Sequence, residues 1–263
     1  MECQVTTKNL KINKDKSIGE VIVVVEGEDE EFKLLKHIFT KVLDYNYTEF
    51  NRRNKTMKKC FVSKSNPNST VIIANTNSPS LNSITDDEEY RDKLFYLLKN
   101  DYHKSLTNIP IYIIWDRDRG SNTGEVVSKS LEMYGNSRDN EFDMNGILLL
   151  SYPCLESYEL SNFIKQEYQK KYSTSDECKK TIGESLFNIH KINEQTLLLA
   201  VENMHRAMID LNVQSYNTDN FKHTNIKIFN KQEEIYKNSK LIKSLSLISI
   251  MLIDLGIIFE NNS

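Results

Sequence analysis

Two apolar rhythms alternate along the first half of the chain. Residues 21–25, Val-Ile-Val-Val-Val, form a continuous β-branched run, the pattern of a strand buried on both faces. The run breaks off at Glu26 and Gly27. Phe32, Leu35, Ile38, Phe39, Val42 and Leu43 then recur at three- and four-residue spacing and predict a helix. Its first turn carries Glu28, Asp29, Glu30 and Glu31, negative charge where the helix dipole is positive. Residues 70–74 read as a second short buried strand, and Tyr90, Leu94, Leu97 and Leu98 predict a helix over about residues 87–104. Further apolar strands are predicted at 109–115 and 146–150. Strands alternating with helices imply a parallel sheet with right-handed crossovers. Beyond residue 153 helical periods dominate, over 156–168, 176–187, 194–211 and 231–258. The expected architecture is α/β: a mainly parallel sheet flanked by helices over residues 1–152, then a helical region over 153–263.

A chain of 263 residues can bury a core without staples. Cys3, Cys60, Cys154 and Cys178 show no C-x-x-C pair and no histidine at ligand spacing. A disulfide framework or zinc finger is therefore not expected, and a reducing cytoplasm is the expected setting. The first sixteen residues are polar, unlike a signal peptide. Residues 241–259 are strongly apolar, but Lys243 and Asp254 interrupt them. Their uncharged stretch, 244–253, is about half the ~20 residues a spanning helix needs, which predicts a core or partner-facing helix and no membrane association. Thirty-four Lys and Arg against 37 Asp and Glu give a formal net charge of -3. That excludes a generic basic nucleic-acid coat and leaves room for a local basic patch.

Two acidic elements stand at corresponding places. Glu26-Gly27-Glu28-Asp29-Glu30 follows the first strand, and Asp116-Arg117-Asp118-Arg119-Gly120 follows the strand at 109–115. Ligands of open parallel sheets bind beyond the carboxyl ends of the strands. Neighbouring strands about 4.8 Å apart let such carboxylates converge on one or two ions, and hard oxygen ligands suit magnesium or manganese rather than zinc. Taken singly, the acids of the first helical turn also read as dipole complements. D-x-D after a strand also opens phosphatases that use the first aspartate, here Asp116, as nucleophile. Residues 52–64 hold Arg52, Arg53, Lys55, Lys58, Lys59 and Lys64 with no acid among them, either a phosphate-binding patch or a solvated loop. Arg117 and Arg119 either pair with the aspartates or touch a phosphate. Tyr45, Tyr47 and Phe50 either stack bases or pack the core.

The order strand, E-G-x-x-E, helix, α/β segment, strand, D-x-D resembles the Toprim domain of topoisomerases, primases, small ribonucleases and OLD-family nucleases, over roughly residues 20–152. The resemblance implies a Toprim-type sheet and a metal-dependent nuclease using Mg2+ or Mn2+. Glu26, Asp116 and Asp118 match its catalytic and metal-binding acids, and Glu30 matches the second acid that OLD-like nucleases carry four residues later. Tyr152-Pro153-Cys154-Leu155-Glu156 looks like the P-x-x-E segment of RloB-like and AriB-like (PARIS) anti-phage defence proteins, which adds Glu156 as a further ligand or supporting residue. AriB-like proteins act beside a separate ATPase, and this chain has no G-x-x-x-x-G-K-[ST] loop. The resemblance thus implies the toxic effector subunit of a defence system, partnered by an ATPase sensor and open to homo-oligomerisation. Its substrate would be nucleic acid, RNA or tRNA favoured over DNA, bound poorly without metal. The alternatives are a non-catalytic Toprim-fold subunit that binds its ATPase through the apolar segment 241–259, and a phosphatase with Asp116 as nucleophile.

Overall fold

The computed structural model describes residues 2–5, 9–27, 29–50, 58–75, 81, 109–138, 146–183 and 188–261. Two short strands, β1 (Glu2–Gln4) and β2 (Leu10–Ile12), precede β3 (Glu20–Val25), the β-branched run. Helix α1 (Glu30–His37) follows, and its last turns, Ile38–Val42, widen to π-helical pairing. Next come β4 (Tyr45–Phe50), β5 (Lys58–Ser63), β6 (Thr70–Asn75), β7 (Ile111–Asp116), α2 (Gly124–Met133) and β8 (Ile147–Tyr152). The helix expected over 87–104 lies outside the described residues. Strands β6, β3, β7 and β8 lie side by side and parallel, with Val25 registered on Ile114 and Asp116 on Ser151. Val21, Val23, Val25, Tyr112 and Leu148 to Leu150 are inaccessible to solvent. Each such aliphatic side chain contributes roughly 1.5–3 kcal/mol on burial, so the sheet centre is where these sequences are most stable.

The second half holds α3 (Glu156–Ser161), β9 (Lys171–Tyr172), α4 (Ser175–Gly183), α5 (Glu194–Asp210), β10 (Ser215–Asn217) and α6 (Lys222–Ser239). It ends with β11 (Ile242–Lys243), β12 (Leu245–Ser246), α7 (Ile248–Asp254) and β13 (Ile258–Glu260). The seven-stranded sheet runs β12-β8-β7-β3-β6-β5-β4, with β12, β5 and β4 antiparallel to their neighbours.

Two expectations fail for identifiable reasons. The helix expected over 231–258 stops at Ser239, because Lys240 takes a left-handed conformation (φ 59°). The chain beyond it then pairs with β9 and β8 instead of with itself. The basic stretch 52–64 is in part a strand, β5, whose Cys60 and Phe61 are buried.

The apolar segment 241–259 enters the core of this chain: Leu247, Ile248, Ile250, Met251 and Leu252 are inaccessible. It therefore offers a partner little apolar face. One hydrophobic core runs through both halves. β12 joins the main sheet beside β8, while β1 with β10 and β2 with β13 form separate two-stranded pairs, so the second half is tied both to the sheet and to the start of the chain. Among the described residues no helix is long and apolar enough to cross a membrane.

Candidate functional site

Because β3 and β7 are parallel neighbours in near-equal register, Glu26 and Asp116 leave the sheet at the same edge, on strands about 4.8 Å apart. The chain after β8 turns through a cis Tyr152–Pro153 bond and starts α3 at Glu156 beside the same edge. Helix α1 brings Glu31 back toward Gly27, and a Cβ added to that glycine would meet Glu31 Oε2 at 3.0 Å. A side chain at position 27 would thus crowd the second carboxylate out.

These acids raise one another. Burial, then the charge of Glu31, pushes the Glu26 carboxyl up to about 7, although a hydrogen bond from the Asp116 backbone opposes the shift. Burial and the charges of Glu26, Glu156 and Glu31 push Asp116 well above the usual aspartate range. Glu31 is raised by burial and by Glu30 and Glu156, and Glu159 goes to about 7 through burial, Glu156 and Glu30. Glu156 is the hub of the group: its Oε2 is buried with no hydrogen-bond partner, and its Oε1 lies 3.8 Å from Lys179 Nζ. Burial works against the charge of Lys179, yet Glu156, Cys154, Glu30 and Asp116 hold its ammonium above the usual lysine value.

The remaining expected residues fall into three groups. Asp118 and Glu30 sit on the rim. Asp118 accepts from Gly120 N (3.2 Å), Ser121 Oγ (2.8 Å) and Ser175 Oγ (3.4 Å), and so shapes its own loop. Glu30 acts on the cluster through Glu31, Glu159 and Lys179.

The arginines are turned away. Arg117 is 1 % exposed, donates to Asn122 O (2.7 Å) and bonds Glu233 of α6 (2.8 Å). Arg119 binds both oxygens of Glu233 and lies 3.8 Å from the centre of the Tyr236 ring. Neither placement matches the phosphate contact or the aspartate pairing expected of them, because a partly buried glutamate on α6 claims both guanidiniums.

The expected basic patch divides. Lys59 lies at the carboxyl edge of the sheet with its ammonium 3.9 Å from the centre of the Phe32 ring. Lys64 follows the far end of β5, at the opposite edge of the sheet, about 17 Å along the strand, and pairs with Asp44. It is therefore no part of a patch at the acidic edge. Arg52, Arg53, Lys55, Glu28 and the side chain of Lys58 lie outside the described residues. Tyr45 and Tyr47 pack against Phe39 and Phe61 at ring separations of 5.4 Å, and Tyr45 is buried. Core packing accounts for both.

Glu31, Glu159 and Lys179 were not singled out by sequence as site residues. Glu31 was indistinguishable from a dipole complement. Glu156 and Glu159, three apart, share a helix face, a signal that was available. Lys179 sits in an ordinary polar helix, and nothing in the sequence marks it. Among the described residues no three Asp, Glu, His or Cys groups stand close enough to form a ready-made metal cage. The donors nonetheless fit a hard divalent ion in kind: all are carboxylate oxygens, several are under mutual repulsion, and Glu156 Oε2 is orphaned. Comparison with known protein families, with curated proteins and with solved structures finds no match.

Proposed function

We propose that the chain is a divalent-metal-dependent nuclease of the Toprim kind, cutting phosphodiester bonds in nucleic acid, with RNA or tRNA favoured over DNA. Its setting is that of a toxic effector beside a separate ATPase sensor in a prokaryotic anti-phage system. One observation carries the reading: Glu26, Glu31, Asp116 and Glu156 gather at one sheet edge, where burial and neighbouring charge raise the carboxyl groups of Glu26, Glu31 and Asp116. Buried carboxylates in excess of their counter-ions are costly, and a cation removes that cost.

Asp116, Glu156 and Glu26 are the residues to hold Mg2+ or Mn2+, with Glu30 and Asp118 behind them. The bound ion would supply an activated water and charge neutralisation at the phosphate. Alternatively, where Glu26 leaves the ion to its neighbours, its carboxyl, raised to about 7 by burial and Glu31, is suited to take a proton from the attacking water. Lys179 brings positive charge to the same edge, where it can face a phosphate oxygen or the leaving group.

The test is incubation of purified protein with Mg2+ or Mn2+ and total RNA or DNA, with and without the neighbouring ATPase, beside Glu26→Gln and Asp116→Asn. Metal-dependent cleavage by the wild type is expected to fall about 10²–10⁴-fold in Glu26→Gln. Undiminished cleavage by both folded variants overturns the assignment. Phosphomonoester hydrolysis with a covalent intermediate trapped at Asp116 would replace it with the phosphatase.

A further inference from the structure

Behind α3, on the side away from the acidic edge, the chain encloses a second polar space. A cavity of about 10 Å³ lies between α3, α5 and the β11–β12 segment, room for one occupant the size of a water molecule. Its polar walls are Ser157, Ser161, Glu167, Asn203, Ser244 and Ser246. Glu167 is 1 % exposed. Its Oε1 accepts hydrogen bonds from Tyr172 Oη (2.8 Å) and Ser244 Oγ (2.7 Å), while its Oε2 is buried with no partner.

The wall has already spent most of its protons. Ser157 Oγ donates to Tyr152 O and Ser161 Oγ to Tyr158 O, both at 2.7 Å, and Ser244 Oγ donates to Glu167. Asn203 Nδ2 donates to Ser161 O (2.8 Å) and Ile164 O (2.7 Å). Beside the apolar Ala200, Met204 and Leu245, the polar part of the wall therefore offers mainly oxygen lone pairs and one carboxyl oxygen without a partner. The nearby ammonium of Lys243 is bound to Asp210 at 2.7 Å. A buried carboxylate bonded twice on one oxygen and not at all on the other calls for positive charge at the second.

We propose that this cavity is a monovalent-cation site, holding a dehydrated potassium ion between Glu167 Oε2 and the serine oxygens. Potassium is close to water in size and fits the space, whereas sodium is smaller and a divalent ion wants more carboxylates. Ser157 and Ser161 belong to α3, whose first residue is Glu156. The ion therefore braces the helix that carries Glu156, and the inference stands whether or not the chain is a nuclease.

The test compares thermal unfolding in potassium, sodium and choline chloride at equal ionic strength. Potassium is expected to raise Tm by about 3 °C over choline, with sodium giving a smaller rise. The rise is expected to vanish in Glu167→Gln and to shrink in Ser161→Ala, which serves alone if Glu167→Gln does not fold. A rubidium-soaked crystal is expected to show an anomalous peak in the cavity. Equal Tm in all three salts, a potassium rise undiminished in the folded variants, or an empty anomalous map at Glu167 overturns the proposal.

Discussion

The loop Asp116-Arg117-Asp118-Arg119 divides its side chains between two electrostatic regimes. Arg117 and Arg119 converge on Glu233. Burial pushes that carboxyl up, yet hydrogen bonds from both arginines win and hold it below the usual range. Asp116, one residue away, faces Glu26, Glu31 and Glu156, where burial and repulsion outweigh the single opposing charge of Lys179 and push its carboxyl well up. Both regions are buried and both are charged. They differ in balance: two arginines meet one glutamate at Glu233, whereas Lys179 alone faces several carboxylates at the acidic edge. Matched charges fasten α6 to the sheet edge, whereas the excess acids repel one another.

Four experiments set the two regions against each other. Removing a matched charge has the largest effect: Arg117→Met takes away the bonds to Asn122 O and Glu233, leaves Arg119 on that carboxylate, and is expected to cost roughly 1.5–3 kcal/mol in urea unfolding. A loss near zero would mean that the pair is ornamental. Removing an unmatched charge works the other way. Asp116→Asn is expected to stabilise the metal-free protein at pH 8 by about 1–2 kcal/mol, and to abolish the Tm rise that Mn2+ gives the wild type. Destabilisation by this substitution would erase the contrast.

The third experiment uses pH. Glu26 titrates near the ordinary glutamate value when unfolded and at about 7 when folded. Between those values the folded chain keeps a proton that the unfolded chain has released. Metal-free stability therefore falls as pH rises through that window, and the proton-linked gain is gone above the folded value. Mn2+ is expected to flatten the decline, and a pH-independent Tm in the metal-free protein would contradict it. The smallest effect belongs to Gly27→Ala, where the methyl meets only the movable end of Glu31. A cost below about 1 kcal/mol is expected, together with a lowered Glu26 titration point by NMR as Glu31 moves off.

Sequence revealed the centre of this molecule better than its margins. Strands β3, β6, β7 and β8 were legible because a strand buried on both faces writes itself as an unbroken apolar run. β4 and β5 were not, since they mix Lys58 and Lys59 with Tyr47 and Phe61 and owe their form to antiparallel partners. β9 to β13 are two or three residues long and exist only through pairing with distant strands, which no local pattern records. At the acidic edge, Glu26 and Asp116 were legible because they end apolar strands, while Glu156 was picked out only through the resemblance of its P-x-x-E segment. Lys179 was not, because its place depends on how α4 packs on α3. The roles of Arg117 and Arg119 were hidden for a related reason: Glu233 lies more than a hundred residues further along the chain.

The late strands impose an order on biosynthesis. β10, β12 and β13 are translated after everything they pair with, so β1 waits for its partner until residue 217 has been made, the outer edge of β8 until residue 246, and β2 until residue 260. Contacts of such long sequence separation close slowly. A chain interrupted before α6 lacks Glu233, and with it the anchor that fixes the Asp116 loop. The architecture therefore ties the fixing of the Asp116 loop to the synthesis of α6, more than a hundred residues after the loop itself.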